Sequence, residues 1–305
     1  MCRMMNEARI LVAGQGVAAA GAAYNFALNY ARERIQGAPL RPKPGQAARV
    51  PITEHPDVRR MLMTLKVMCE TMRAARIRIN FERDRAEHTS DAAERRKLLG
   101  RADLLIPVLK AHCTDLGFEM AALAVQVYGG YGYIGEYPVE QLVRDTKIQS
   151  IYEGTNGIQA MDLLGRKMRI ENGKLFKTWL GDTTHQLESA SAAGFAKEAE
   201  QVGKSVAKLA QTAQHLGAQA GAGKVELAFC HSVPFLKAFG VVLLALEALD
   251  QASVSAGLAI SGDTQARHKG LNLRFYVAHV LPQAGAYCRT VLASDDSCLD
   301  PELFV

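Results

Sequence analysis

A carboxylate set between an aromatic residue and a glycine, in Ile151-Tyr152-Glu153-Gly154-Thr155-Asn156, is the part of this sequence best suited to acid–base chemistry. Apolar surroundings disfavour the ionised carboxyl group and raise its pKa toward values useful for proton abstraction. Gly154 would leave room for a substrate beside Glu153, whose own backbone amide could polarise a carbonyl group. Thr155 or Asn156 could cap a following helix while reaching a ligand, although the same residues also fit a capping box beside a solvated glutamate. The local pattern leaves both readings standing.

A second chemically suggestive stretch precedes it. Gln126 comes at the end of a long helical pattern, and Gly129, Gly130, Gly132 and Gly135 then break the periodicity. Adjacent glycines let the backbone approach a flat or phosphate-bearing ligand and present amides to it, although a Gly-Gly pair is also an ordinary turn. The segment Gly14-x-Gly16-x-x-Ala19 has the outline of a dinucleotide-binding turn, but residues 24–36 continue as a helix where that fold needs a second strand. A di-iron bundle is excluded because Glu-x-x-His does not occur.

The elements that must position these residues read as helices. Ile10, Val17, Ala20, Tyr24, Ala27 and Ala31 recur at helical spacing, predicting a first helix from Asn6 to Gly37. Pro39, Pro42, Pro44, Pro51 and Pro56 predict an irregular loop over 38–56. A second helix is expected over about 57–84, a third up to Val127, a short one from Pro138 to Gln149, and another from Asn156 to the basic residues before Gly173. Four more follow, over roughly 174–191, 194–217, 223–257 and 264–293. The expected class is all-α, with a four-helix-type bundle over 1–170 and a helical extension over 171–305.

Composition bounds the rest. The chain has 305 residues, is 49% hydrophobic and 22% charged, and so has the make-up of a packed globular protein. Its 36 Lys+Arg against 31 Asp+Glu are dispersed, without the dense basic stripe of a nucleic-acid binder. The six cysteines are widely separated and lack zinc-site spacing, the pattern of reduced thiols in a cytoplasmic protein. The run Phe239 to Leu246 falls short of the roughly 20 residues of a membrane span, and none is expected. MCRMMNEARI has neither a signal-peptide core nor transit-peptide character and reads as the interior of a longer protein.

Residues 126–159 resemble the active-site stretch of the flavin-dependent acyl-CoA dehydrogenases. The pattern Q-x-x-G-G-x-G-Y/F…E-Y-P-V-E-x-x-x-R-D-x-K-I-x-x-I-Y-E-G-T is met by Gln126, Gly129, Gly130, Gly132, Tyr133, Glu136 to Glu140, Arg144, Asp145, Lys147, Ile148 and Ile151 to Thr155. The resemblance implies an acyl-CoA substrate, FAD as cofactor, electron-transfer flavoprotein or a similar acceptor, and a homo-oligomer. It puts Glu153 in the place of the base that removes the α-proton while the β-hydrogen leaves as hydride. It assigns Arg34, Gln36, Gln126, Gly129, Gly130 and Thr155 to FAD, and Asn6, Arg9 and Gly154 to the substrate side. In family members with the base on the first helix, the matching position here is Ala8, which favours Glu153.

Pro56 and Gly157 stand where the family commonly has a cofactor-contacting glutamine. EGTNGIQAMDLLGRK and the tail after it look closest to the larger members with an added C-terminal domain, including those acting on methylmercaptopropionyl-CoA. Family members carry an N-terminal helical domain and a β-domain before the first helix seen here, so the chain is expected to be truncated or to need a partner. The alternative reading is a non-catalytic helical fragment or assembly subunit that binds no flavin alone.

Overall fold

The computed structural model describes residues 2–42, 45 and 48–303. Among them the elements are almost entirely helical: α1 Cys2–Glu33, α2 Pro56–His88, α3 Ala92–Tyr128, α4 Pro138–Lys147, α5 Asn156–Gly165, α6 Lys174–Ala190, α7 Ala196–Gly221, α8 Val225–Cys230, α9 Ser232–Ile260, α10 Thr264–His279 and α11 Pro282–Ala293. The all-α class holds, with one isolated β-bridge among the described residues, between Ile35 and Pro51.

That bridge explains where α1 stops. Gln36 N donates to Val50 O at 3.0 Å, Val50 N to Gly37 O at 3.1 Å and Ile52 N to Arg34 O at 2.9 Å. These bonds between the two segments satisfy the backbone that further helical turns would have used, so the helix ends at Glu33 and not at Gly37. The proline-rich segment is correspondingly less irregular than its composition predicts, with a 3₁₀ turn at Ile52–Glu54. Pro44 lies outside the described residues. Residues 8–23, the outline of a dinucleotide-binding turn, are one continuous stretch of α1, which removes that reading.

The chain divides into two compact units, and α1, α2 and α3 contribute to both. One comprises Met1–Ile10, Ala74–His112 and Gly154–Val305. Its centre is α9, packed by α5, α6, α7, α10 and α11. Phe235, Phe239, Leu243, Leu244 and Leu249 are buried along it, each worth roughly 1.5–3 kcal/mol of burial. Phe239 meets Trp179 with ring centroids 4.6 Å apart, and the Tyr276 hydroxyl donates to Val241 O at 2.8 Å. The expected helix over 223–257 is two, broken at His231, and that over 264–293 breaks before Pro282, whose ring suits the first turn of α11.

Two helical stretches, Met4–Glu33 and Ser232–Ile260, are long and apolar enough to cross a bilayer by length and composition, which the short run Phe239–Leu246 had not indicated. In Ser232–Ile260, 83% of the apolar window is buried inside the protein, as befits a core helix.

The other unit comprises Leu11–Arg73 and Cys113–Glu153. Here α1 and α3 touch backbone to backbone. A Cβ on Gly16 would lie 2.3 Å from Cys113 O, and one on Gly117 would lie 2.8 Å from Gly16 O. Gly16 is thus a helix-crossing residue.

Candidate active site

The segment Gly154-Thr155-Asn156 is built on a buried cation. Lys110 on α3 is 0% exposed, and its Nζ donates to Gly154 O at 2.9 Å and to Asn156 Oδ1 at 3.0 Å. Asn156 in turn donates through Nδ2 to Ala111 O at 3.1 Å, and Gln159 Nε2 donates to Gly154 O at 3.2 Å. Thr155 caps α5, its Oγ1 accepting from Ile158 N at 3.3 Å. Gly154 has φ +87°, and a Cβ there would lie 2.7 Å from Gln159 Nε2, so both its backbone conformation and its surroundings call for glycine.

Arg9 and Asn6 flank the same unit. Arg9 Nη1 donates to Asp162 Oδ2 at 2.8 Å, both side chains being about nine-tenths buried. Asp162 also accepts from Arg166 Nε at 2.6 Å. Burial raises the Asp162 pKa, but the Arg166 hydrogen bond and the charges of Arg166 and Arg9 outweigh it, and the carboxyl group is held below its ordinary value. Arg9 is therefore committed to α5. Asn6 Nδ2 donates to Asp103 Oδ1 at 2.6 Å and lines a cleft of about 540 Å³ with Arg83, Arg95, Leu99, Asp103 and Ile106.

In the other unit, Glu153 is exposed and holds a left-handed backbone, φ +54°, unusual for a residue with a side chain. The preceding Tyr152 hydroxyl donates to Gln15 Oε1 on α1. The expected apolar enclosure of the carboxyl group is not provided by this chain.

The structure brings Arg34 and Gln36 together with the turn that follows α3. The Arg34 guanidinium lies over the Tyr131 ring, 5.1 Å from its centroid, and its Nη2 approaches Gln36 Oε1 at 3.4 Å. Tyr131 lies in the 3₁₀ turn Gly129–Tyr133. Beneath it, Tyr30 stacks on Tyr128 at 4.0 Å, and Tyr137 meets both edge-on. Gly129 has φ +63°, and nothing lies within 4 Å of a Cβ built on Gly129 or on Gly130. Gln126 is exposed on α3 just before this turn.

Sequence reading missed both Lys110 and the tyrosine cluster. The signals were present: a lone lysine inside the apolar run LLIPVLKAHC, and tyrosines at 128, 131 and 137 around the glycines.

The class these features define is a helical domain whose longest helix, α3, ends at a glycine turn and in which the loop before α5 carries Glu153. Residues 1–168 match the family described as "Acyl-CoA dehydrogenase, C-terminal domain", and residues 179–302 match "Acetyl-CoA dehydrogenase C-terminal like". The chain belongs to the acyl-CoA dehydrogenase family. It is 37% identical to the 3-methylmercaptopropionyl-CoA dehydrogenase of Ruegeria pomeroyi, over 98% of this chain and 51% of that protein. Two solved structures share the fold. ACDH-11 of Caenorhabditis elegans in complex with C11-CoA has a TM-score of 0.73 at 16% identity, over 98% of this chain and 48% of that one. The acyl-CoA dehydrogenase of Bacillus anthracis complexed with FAD has a TM-score of 0.71 at 18% identity, over 97% and 50%. The chain thus spans about half the length of these relatives.

Proposed function

We propose that this chain is the base-bearing half of an FAD-dependent acyl-CoA dehydrogenase, completed by further polypeptide that closes the site. The division at about residue 170 into bundle and extension belongs to the same reading. So do a homo-oligomeric assembly, a cytoplasmic location and electron-transfer flavoprotein as acceptor.

Glu153 takes the α-proton of the thioester, and its own amide donates to the thioester carbonyl, stabilising negative charge that develops on that oxygen. Gly154, assigned to the substrate side, has Gln159 Nε2 where a side chain would project rather than open room, and Lys110 and Asn156 fix the peptide that follows Glu153. Asn6 and Arg9 serve the substrate side, Asn6 from its cleft and Arg9 by holding α5 through Asp162. The residues of the glycine turn fit a phosphate-bearing cofactor: Gly129 and Gly130 have open space where a Cβ would project, with the Arg34 cation over neighbouring Tyr131. Arg34, Gln36, Gln126, Gly129, Gly130 and Thr155 would hold FAD, which when bound accepts the substrate's β-hydride. Because Glu153 is exposed in this chain, the desolvation that tunes it comes from substrate and completing polypeptide.

The observation that carries this reading is the unbroken match from Gln126 to Thr155 on a glycine turn with an adjacent cation. The exposure of Glu153 favours a second reading, a non-catalytic helical fragment or assembly subunit that binds no flavin alone. Co-expression with the N-terminal half of the Ruegeria relative tests both. Our reading expects a complex that purifies with flavin and bleaches anaerobically on adding an acyl-CoA. A stable complex free of flavin would overturn it in favour of the second.

A further inference from the structure

The sulfurs of Cys230 and Cys298 lie 2.7 Å apart. This is only about 0.7 Å longer than a disulfide bond. Cys230 ends α8, and Cys298 lies in the short 3₁₀ turn Ser297–Leu299 near the C-terminus, which packs on α8. The approach is anchored on both sides. His231 Nε2 lies 3.0 Å from Asp295 O, and Ser294 Oγ is held by His215 Nε2 at 2.7 Å and by Gln219 Nε2 at 2.8 Å. Neighbouring contacts therefore set the two thiols face to face, and closing the bond needs little backbone movement.

Among the described cysteines the pair also stands apart in accessibility. Cys69, Cys113 and Cys288 are buried, whereas Cys298 is exposed and Cys230 half-buried. Of the two, Cys298 is the more accessible to a small-molecule oxidant.

We propose that Cys230 and Cys298 form a reversible thiol–disulfide site that clamps the C-terminal turn to α8. With glutathione disulfide as oxidant, the Cys298 thiolate attacks one glutathione sulfur, breaking its S–S bond and releasing one glutathione thiolate. The Cys230 thiolate then attacks Cys298 Sγ and displaces the second glutathione. The protein loses two electrons and two protons, and glutathione disulfide is reduced to two molecules of glutathione. The hydrogen bond to Cys298, then burial, push the Cys230 thiol up to about 11. Half-buried beside the exposed Cys298, Cys230 suits the second, intramolecular step. The closed loop would hold α9, α10 and α11, tying the core helix and its two successors to the clamp.

The test incubates the full chain with glutathione disulfide, blocks residual thiols and maps peptides without reduction. A linked pair containing Cys230 and Cys298, released by dithiothreitol, is expected. Oxidation should raise Tm by about 5 °C, a shift absent from Cys298→Ser. Recovery of Cys230 and Cys298 as separate glutathione adducts, or as unreacted thiols in a chain oxidised elsewhere, overturns the proposal.

Discussion

The buried ammonium of Lys110 donates to the carbonyl oxygen of Gly154 at 2.9 Å, one peptide beyond Glu153. A charged donor at 0% exposure is retained only with good partners, here Gly154 O and Asn156 Oδ1. Lys110→Met should remove both bonds and leave two acceptors underpaired, at a cost of about 2–3 kcal/mol. The urea midpoint should fall accordingly with an unchanged m-value. A loss below about 0.5 kcal/mol would show that this lysine does not hold the loop.

The contact of Gly16 with the α3 backbone gives a prediction of the opposite kind, in which space alone decides. Gly16→Ala places a Cβ against Cys113 O, and a carbonyl held within a helix cannot yield cheaply. Destabilisation by about 2–3 kcal/mol is expected, read as a lower Tm. Unchanged stability would mean that α1 and α3 are not in backbone contact there.

Gly130 should behave differently, because nothing lies within 4 Å of its missing Cβ. Gly130→Ala should leave the thermal transition of the chain unchanged. In the completed enzyme it should weaken FAD binding about tenfold, or 1.4 kcal/mol, measured by flavin fluorescence. Equal FAD affinity would remove this glycine from the cofactor cradle.

A pH dependence follows from His112. Its ring packs against Gly240, where a Cβ would lie 2.3 Å from His112 Cγ. Burial, with the charge of Lys237 second, depresses the imidazole from 6.5 to about 4. Above 6.5 both folded and unfolded chains hold it neutral and its contribution is complete. As pH falls from 6.5 toward 4 the unfolded chain binds a proton that the folded one refuses, and stability is lost by up to about 1.4 kcal/mol per pH unit. Urea unfolding at pH 7 and pH 4.5 should therefore show a difference that shrinks by about 2–3 kcal/mol in His112→Asn. An identical pH difference in the variant would refute the assignment.

The helices were legible because a 3.6-residue period is a local property, and α1, α2 and α5 began close to where the spacing of apolar residues indicated. The end of α1 was not, because Arg34 and Gln36 are taken over by Val50 and Ile52, partners that no local window contains. The break before Pro282 was not anticipated in the expected helix over 264–293, although its ring fits a new first turn. At the site, the motif pointed to Glu153, Gly129 and Gly130, but the apolar enclosure expected of Glu153 was absent. Surroundings depend on what packs against a loop, and a linear pattern does not encode them. Lys110 was overlooked for a related reason: a lysine in an apolar helix resembles an interruption until the carbonyl it serves is known.

The central claim, that the Glu153 carboxylate removes the α-proton, is tested most directly by Glu153→Gln in the enzyme completed with the N-terminal half of the Ruegeria relative. Acyl-CoA-dependent dye reduction should fall by about 10²–10⁴, the usual cost of removing a general base, while flavin content stays at the parental level. Activity within a few-fold of the parent, with flavin still bound, would contradict the account.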